Sequence, residues 1–137
     1  MSVIHSRHRG LYALWIILVI GLGLGSRAEI LDLSPFVAKY AGDALWALLI
    51  FLGFGFLLRT RRSVMLAGLA FGVCCAVEFS QLYHTPWLNE LRRTWFGKLV
   101  MGDTFAWGDI VAYLVGIVLG ASIEWATSSI SSNEATR

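Results

Sequence analysis

The chain has 137 residues, 57% of them hydrophobic and only 15% charged, with a mean hydropathy of +0.68 and a formal net charge of +2. A soluble domain of this size cannot enclose so much apolar side chain, so the surplus must face lipid. The mild positive balance, with no Lys/Arg-rich stripe, excludes nucleic acid as an expected partner.

The first apolar run, "LYALWIILVIGLGLG" at 11–25, is short against the ~20 residues a span needs. Arg7 and Arg9 before it and the small residues of "SRA" at 26–28 would suit a signal peptide, but Tyr12 and Trp15 stand where interfacial anchors stand, which favours an uncleaved first span. The second run, "ALWALLIFLGFGFLL" at 44–58, extends toward its start because Ser34 suits an N-cap and Pro35 the first helical position. That places the second span at about 40–58, entering the apolar layer near Tyr40 or Asp43. A tight basic turn, "RTRRS" at 59–63, leads into the third run at 64–83, in which the adjacent Cys74 and Cys75 read as reduced core residues with neither a disulfide nor a metal pairing.

Between the third and fourth runs the chain is too charged to cross. Trp87, Leu88, Leu91, Trp95 and Leu99 nevertheless recur at three- to four-residue spacing, with Arg92, Arg93 and Lys98 on other faces, the pattern of a helix lying in the membrane interface. Asp109 would cap the fourth span at 110–127, and residues 128–137 read as a polar, disordered tail. The expected fold is therefore all-α: one polytopic membrane domain over 1–127, with four transmembrane helices and an interfacial amphipathic helix between spans three and four. Glycine pairs at four-residue spacing, Gly21/Gly25, Gly68/Gly72 and Gly116/Gly120, read as close helix-packing faces.

The basic residues set the orientation. With both termini in the cytoplasm, Arg7, Arg9, Arg59, Arg61, Arg62 and Arg137 lie inside, and Arg27, Lys39, Arg92, Arg93 and Lys98 outside, six against five. The compact 59–63 turn, directly against two spans, decides for this arrangement.

Glu78 is the residue that the apolar pattern does not explain. A carboxylate at a helix centre costs about 2.5–3.5 kcal/mol on the insertion scale, and Glu78 lies ~7.5 Å from the expected end of span three. Gln81 is its i+3 neighbour, and Pro86 ends the helix near Tyr83 or His84. Asp43 and Asp109, with Tyr113 one turn below Asp109, reach the same level from spans two and four. Each has a plainer explanation: Asp109 as a cap, Asp43 paired with Lys39, Arg92 and Arg93 on phospholipid head groups, and His84 solvated. Glu78 has the weakest such explanation, because an intramembrane carboxylate without a partner is rare.

The segments "KYAGDALWALLIF" and "VEFSQLYHTPWLNELRRTWFGKLVMGDTFAWGDIVAYLVGIVLGA" resemble the small bacterial membrane proteins of domain-of-unknown-function family 2809. More loosely, the acidic-x-x-Gln pair ending one span, the Arg in the next loop and the Asp opening a Gly-rich last span resemble VanZ-like proteins, some of which are associated with glycopeptide tolerance. Those proteins typically carry an Asn soon after that Asp, where this chain has Ala112 and Tyr113. The resemblance implies a bacterial inner-membrane location and points to Asp43, Glu78, Gln81, Arg92 or Arg93, and Asp109.

The leading functional expectation is a polar pocket at the outer leaflet that binds a lipid-linked or anionic head-group ligand. Arg92 and Arg93 would contact phosphate, and Glu78, Gln81, Asp43 and Asp109 would contact hydroxyls or amines or hold the arginines. One alternative is an accessory subunit of a larger membrane complex, with a membrane-protein partner. Another is a hydrolase or transferase acting on a lipid phosphate or glycan with Glu78 as general base, for which Ser80 is the nearest nucleophile. No cofactor and no metal is expected, and no HExxH or paired CxxC spacing is present.

Overall fold

The computed structural model describes residues 7–26, 32–101 and 105–134. It contains α1 (Arg9–Ser26), α2 (Pro35–Leu57), α3 (Ser63–Ser80), α4 (Pro86–Arg93), α5 (Trp95–Met101) and α6 (Trp107–Glu134). Four of these helices, α1, α2, α3 and α6 over Trp107–Ser128, are long and apolar enough to cross a membrane. The protein is an all-α polytopic membrane protein.

Short connections reverse the chain between α1, α2 and α3, and the Glu78–Tyr113 and Arg7–Glu124 contacts set the direction of α6, so the four spans run up and down. The starts of α1 and α3 and the end of α2 therefore share one end of the bundle with Glu124 (the Arg7 end), while the end of α3 and the starts of α2 and α6 share the other (the Glu78 end). The second span begins as the sequence demands: Ser34 Oγ accepts the Val37 N–H at 3.3 Å, and Pro35 occupies the first turn.

The third span ends earlier than expected, at Ser80. Its last turn tightens through i+3 bonds, Gln81 N to Glu78 O, Leu82 N to Phe79 O and Tyr83 N to Ser80 O, each 3.1 Å. The expected single interfacial helix is two, broken at Thr94, whose hydroxyl donates to Leu91 O at 2.7 Å and accepts the Gly97 N–H at 2.9 Å. A Cβ at Gly97 would run into the Leu91 carbonyl, so the chain turns there only with glycine. Trp87, Leu91, Trp95 and Phe96 are exposed and Leu88 is buried; the Leu99 side chain lies outside the described residues.

Asp109 is the third residue of α6, whose helix starts at Trp107, and so is not its cap. The same helix continues to Glu134 across much of the stretch expected to be a disordered tail. The segment after Ser26, which holds Arg27 and most of the "SRA" motif, and Arg137 lie outside the described residues.

The core is built on α2, which packs against α1, α3 and α6. Ala47, Phe51, Leu66, Ala70 and Cys74 are fully buried, joined by Tyr12 and Val19 from α1 and Tyr113 and Ile117 from α6. Both cysteines are free thiols, and only Cys74 is fully buried. Of the three glycine pairs, only one packs as expected. A Cβ at Gly116 would enter the Ala44 carbonyl, and one at Gly120 would meet Phe51 at 2.6 Å, so α6 lies directly on α2. Gly21, Gly25, Gly68 and Gly72 meet nothing, and their faces look outward among exposed Ile17, Leu22, Leu69 and Val73.

Candidate functional site

Glu78 is fully buried, with 0% exposure, and it is not alone. Its Oε1 accepts the Ala106 N–H at 3.0 Å, and its Oε2 accepts the Tyr113 hydroxyl at 2.8 Å and, more weakly, Gln81 Nε2 at 3.5 Å. Gln81 Nε2 also donates to Met101 O at 2.6 Å. Glu78 in the last turn of α3 and Gln81 just after it therefore hold the residue before α6 and the last residue of α5. A buried carboxylate that accepts several donors has the partners that low-dielectric surroundings require.

Helical spacing assembles the rest. Asp109 and Tyr113 share a face of α6, and Lys39 and Asp43 share a face of α2. Lys39 Nζ pairs with Asp109 across the two helices and with Asp43 at 3.6 Å along its own. Asp43 and Asp109 lie within electrostatic range of each other and of Glu78. The lysine side chain is 42% exposed against 19% for Asp43 and 5% for Asp109, with its ammonium 4.8 Å from the Tyr40 ring centroid. The ammonium thus sits at the more exposed edge of the cluster, between the two carboxylates and the Tyr40 ring. The helices can approach here because residue 108 is glycine: a Cβ would stand 2.6 Å from the Tyr40 hydroxyl.

Glu78 and Gln81 thus meet Tyr113, Asp43 and Asp109 meet Lys39, and the one-turn spacing of Asp109 and Tyr113 on α6 sets the two groups side by side. The i,i+4 spacing sets Lys39 beside Asp43 and Tyr113 below Asp109; what it does not signal is that Lys39 reaches Asp109 and Tyr113 reaches Glu78 across helices.

The arginines stand apart. Arg92 is buried, and its guanidinium donates to Tyr83 O at 3.0 Å, to Ser80 O, and to Asn89 Oδ1 at 3.4 Å. It caps the carbonyl end of α3, where a cation also complements the helix dipole. Arg93 is exposed and pairs with Glu90 at 2.8 Å. Between them runs a cleft of about 160 Å³ lined by His84, Asn89, Arg92, Arg93 and Lys98, with no carboxylate in its lining. Exposed Tyr83, Trp87, Trp95 and Phe96 belong to the same segment, and Phe36 and Trp107 are exposed at the starts of α2 and α6.

The geometry offers Glu78 little as a catalytic base. Ser80 Oγ is bonded back to Val77 O at 2.5 Å, so the serine that the sequence offers as nucleophile is not paired with it. Among the described residues, no group of three His, Cys, Asp or Glu side chains has a metal-holding arrangement.

A family model described as "Protein of unknown function (DUF2809)" matches residues 32–117. The chain belongs to the DUF2809 family. The matched stretch takes in the whole carboxyl network and every residue of the basic cleft, and leaves out α1 and the later part of α6. No solved structure matches the chain.

Proposed function

We propose that this DUF2809 protein binds the anionic head group of a lipid or lipid-linked molecule at the Glu78 end of the bundle, at the level of the membrane interface. The observation that carries the reading is the cleft lined by His84, Asn89, Arg92, Arg93 and Lys98, which offers several donors and no carboxylate beside a row of exposed aromatic side chains. Phosphate oxygens pair best with charge-assisted donors, and Trp and Tyr at head-group depth fix such a segment in the interface.

In this reading Arg93 and Lys98 take the phosphate, with His84 and Asn89 as further donors and Arg92 as the fixed wall. Glu78, Gln81 and Asp109 act as positioning residues: Glu78 and Gln81 hold the start of α6 and the end of α5 to the end of α3, and Asp109 ties α6 to Lys39 of α2. Asp43 with Lys39 forms the more open edge of the carboxyl network and is assigned the hydroxyls or amines of the same head group. The orientation belongs to the same proposal. With the compact 59–63 basic turn in the cytoplasm of a bacterium, the Glu78 end lies at the outer leaflet of the inner membrane. The looser VanZ-like resemblance agrees with a lipid-linked envelope ligand but carries none of the argument.

The test is native mass spectrometry of gently extracted wild type and of Arg93→Ala/Lys98→Ala. Discrete anionic lipid adducts are expected on the wild type and are lost in the double variant, with zwitterionic lipids retained equally. Equal retention of anionic lipid by both proteins would refute head-group binding at the cleft.

A further inference from the structure

The Arg7 end of the bundle holds a second polar centre that the head-group reading does not use. Arg7 precedes α1 and is 7% exposed. Its Nη1 donates to Arg61 O at 2.7 Å, Arg59 O at 3.0 Å and Leu58 O at 3.4 Å, and its Nη2 donates to Ser63 Oγ at 3.3 Å and forms an ion pair with Glu124 of α6. In return Arg59 Nε donates to the Arg7 carbonyl at 2.9 Å. One side chain thus caps the carbonyl end of α2, fixes the turn into α3 and reaches α6. Only a planar guanidinium has enough donors in the right fork for all of these at once. One turn into α1, Tyr12 lies over Gly55, which has no Cβ to hold it off.

Arg7 and Glu124 both lie outside the family-matched stretch 32–117, as does all of α1. Apart from these contacts, α1 is attached chiefly by packing on α2, and most of its length faces outward. We infer that Arg7 and Glu124 form a latch that docks the first span onto the family core, so that loss of one buried ion pair frees α1 and the 58–63 turn while the Glu78 end stays folded. The reason is electrostatic. Removing Glu124 leaves a buried guanidinium without its counter-charge, a state relieved by moving Arg7, and with it the start of α1, into water.

The latch is tested by hydrogen–deuterium exchange on the full chain in lipid nanodiscs, comparing wild type with Glu124→Gln and Arg7→Lys. Glu124→Gln keeps every donor of Arg7, and Arg7→Lys keeps the charge but not the fork. Both variants are expected to raise amide exchange in peptides covering 8–14 and 58–64 by about tenfold or more, with peptides covering 105–113 unchanged. Unchanged exchange at 8–14 and 58–64 would overturn the latch. So would an equal rise at 105–113, which would mean that the pair merely supports the whole fold.

Discussion

Tyr113 of α6 and Glu78 of α3 share a hydrogen bond of 2.8 Å in the buried interior, with the Ala106 N–H on the other carboxyl oxygen at 3.0 Å. This pair ties α6 to the end of α3. A carboxylate that looks out of place in an apolar span is therefore the strut that holds the α5–α6 connection.

That role predicts coupled losses. Tyr113→Phe leaves one oxygen of a buried carboxyl short of a donor and should lower stability by about 1–3 kcal/mol. Glu78→Ala should lower it further, and the double variant should fall short of the sum by about 0.5–3 kcal/mol, because the two act on one bond. Unfolding by SDS titration from mixed micelles measures all four corners of this cycle.

The glycines predict opposite outcomes on two helices. Gly116→Ala drives a Cβ into the Ala44 carbonyl, a backbone atom that cannot swing aside, and should destabilise by about 1–3 kcal/mol. Gly68→Ala meets open space and should be neutral or stabilising by up to about 1 kcal/mol. Thermal unfolding in one detergent distinguishes them.

Adjacent arginines should also part company. Arg92→Ala removes the donors to Ser80 O and Tyr83 O and should lower stability by about 1–3 kcal/mol, since the end of α3 loses its cap. Arg93→Ala breaks only an exposed pair with Glu90 and should change stability by less than about 0.5 kcal/mol. Its effect should appear instead as weaker retention of anionic lipid, read by mass spectrometry of the extracted protein.

The four spans were legible because apolar length is a property of contiguous residues, and the Ser34-Pro35 start because capping is local. Glu78 was legible as an anomaly. Helical spacing then brought Gln81 to it, and the shared level of Asp43 and Asp109 placed them beside it. Three things were not legible. Arg92 reads the same in sequence whether it faces phosphate or caps a helix that ended a dozen residues earlier, and only the early close of α3 at Ser80 decides between them. Arg7 and Glu124 meet from opposite ends of the chain, and no local pattern signals such a contact. Gly21/Gly25 and Gly68/Gly72 carry the same spacing as Gly116/Gly120, yet only the last pair has a helix beside it, because spacing marks a face and not its neighbour.

The most direct test of head-group binding is photocrosslinking in nanodiscs with an anionic phospholipid carrying a photoreactive head group, with adducts mapped by peptide mass spectrometry. If the cleft binds head groups, adducts concentrate on residues 83–98, are competed by unlabelled anionic lipid and not by zwitterionic lipid, and are lost in Arg93→Ala/Lys98→Ala. Adducts spread evenly around both ends of the bundle, or indifferent to competitor charge, would contradict it.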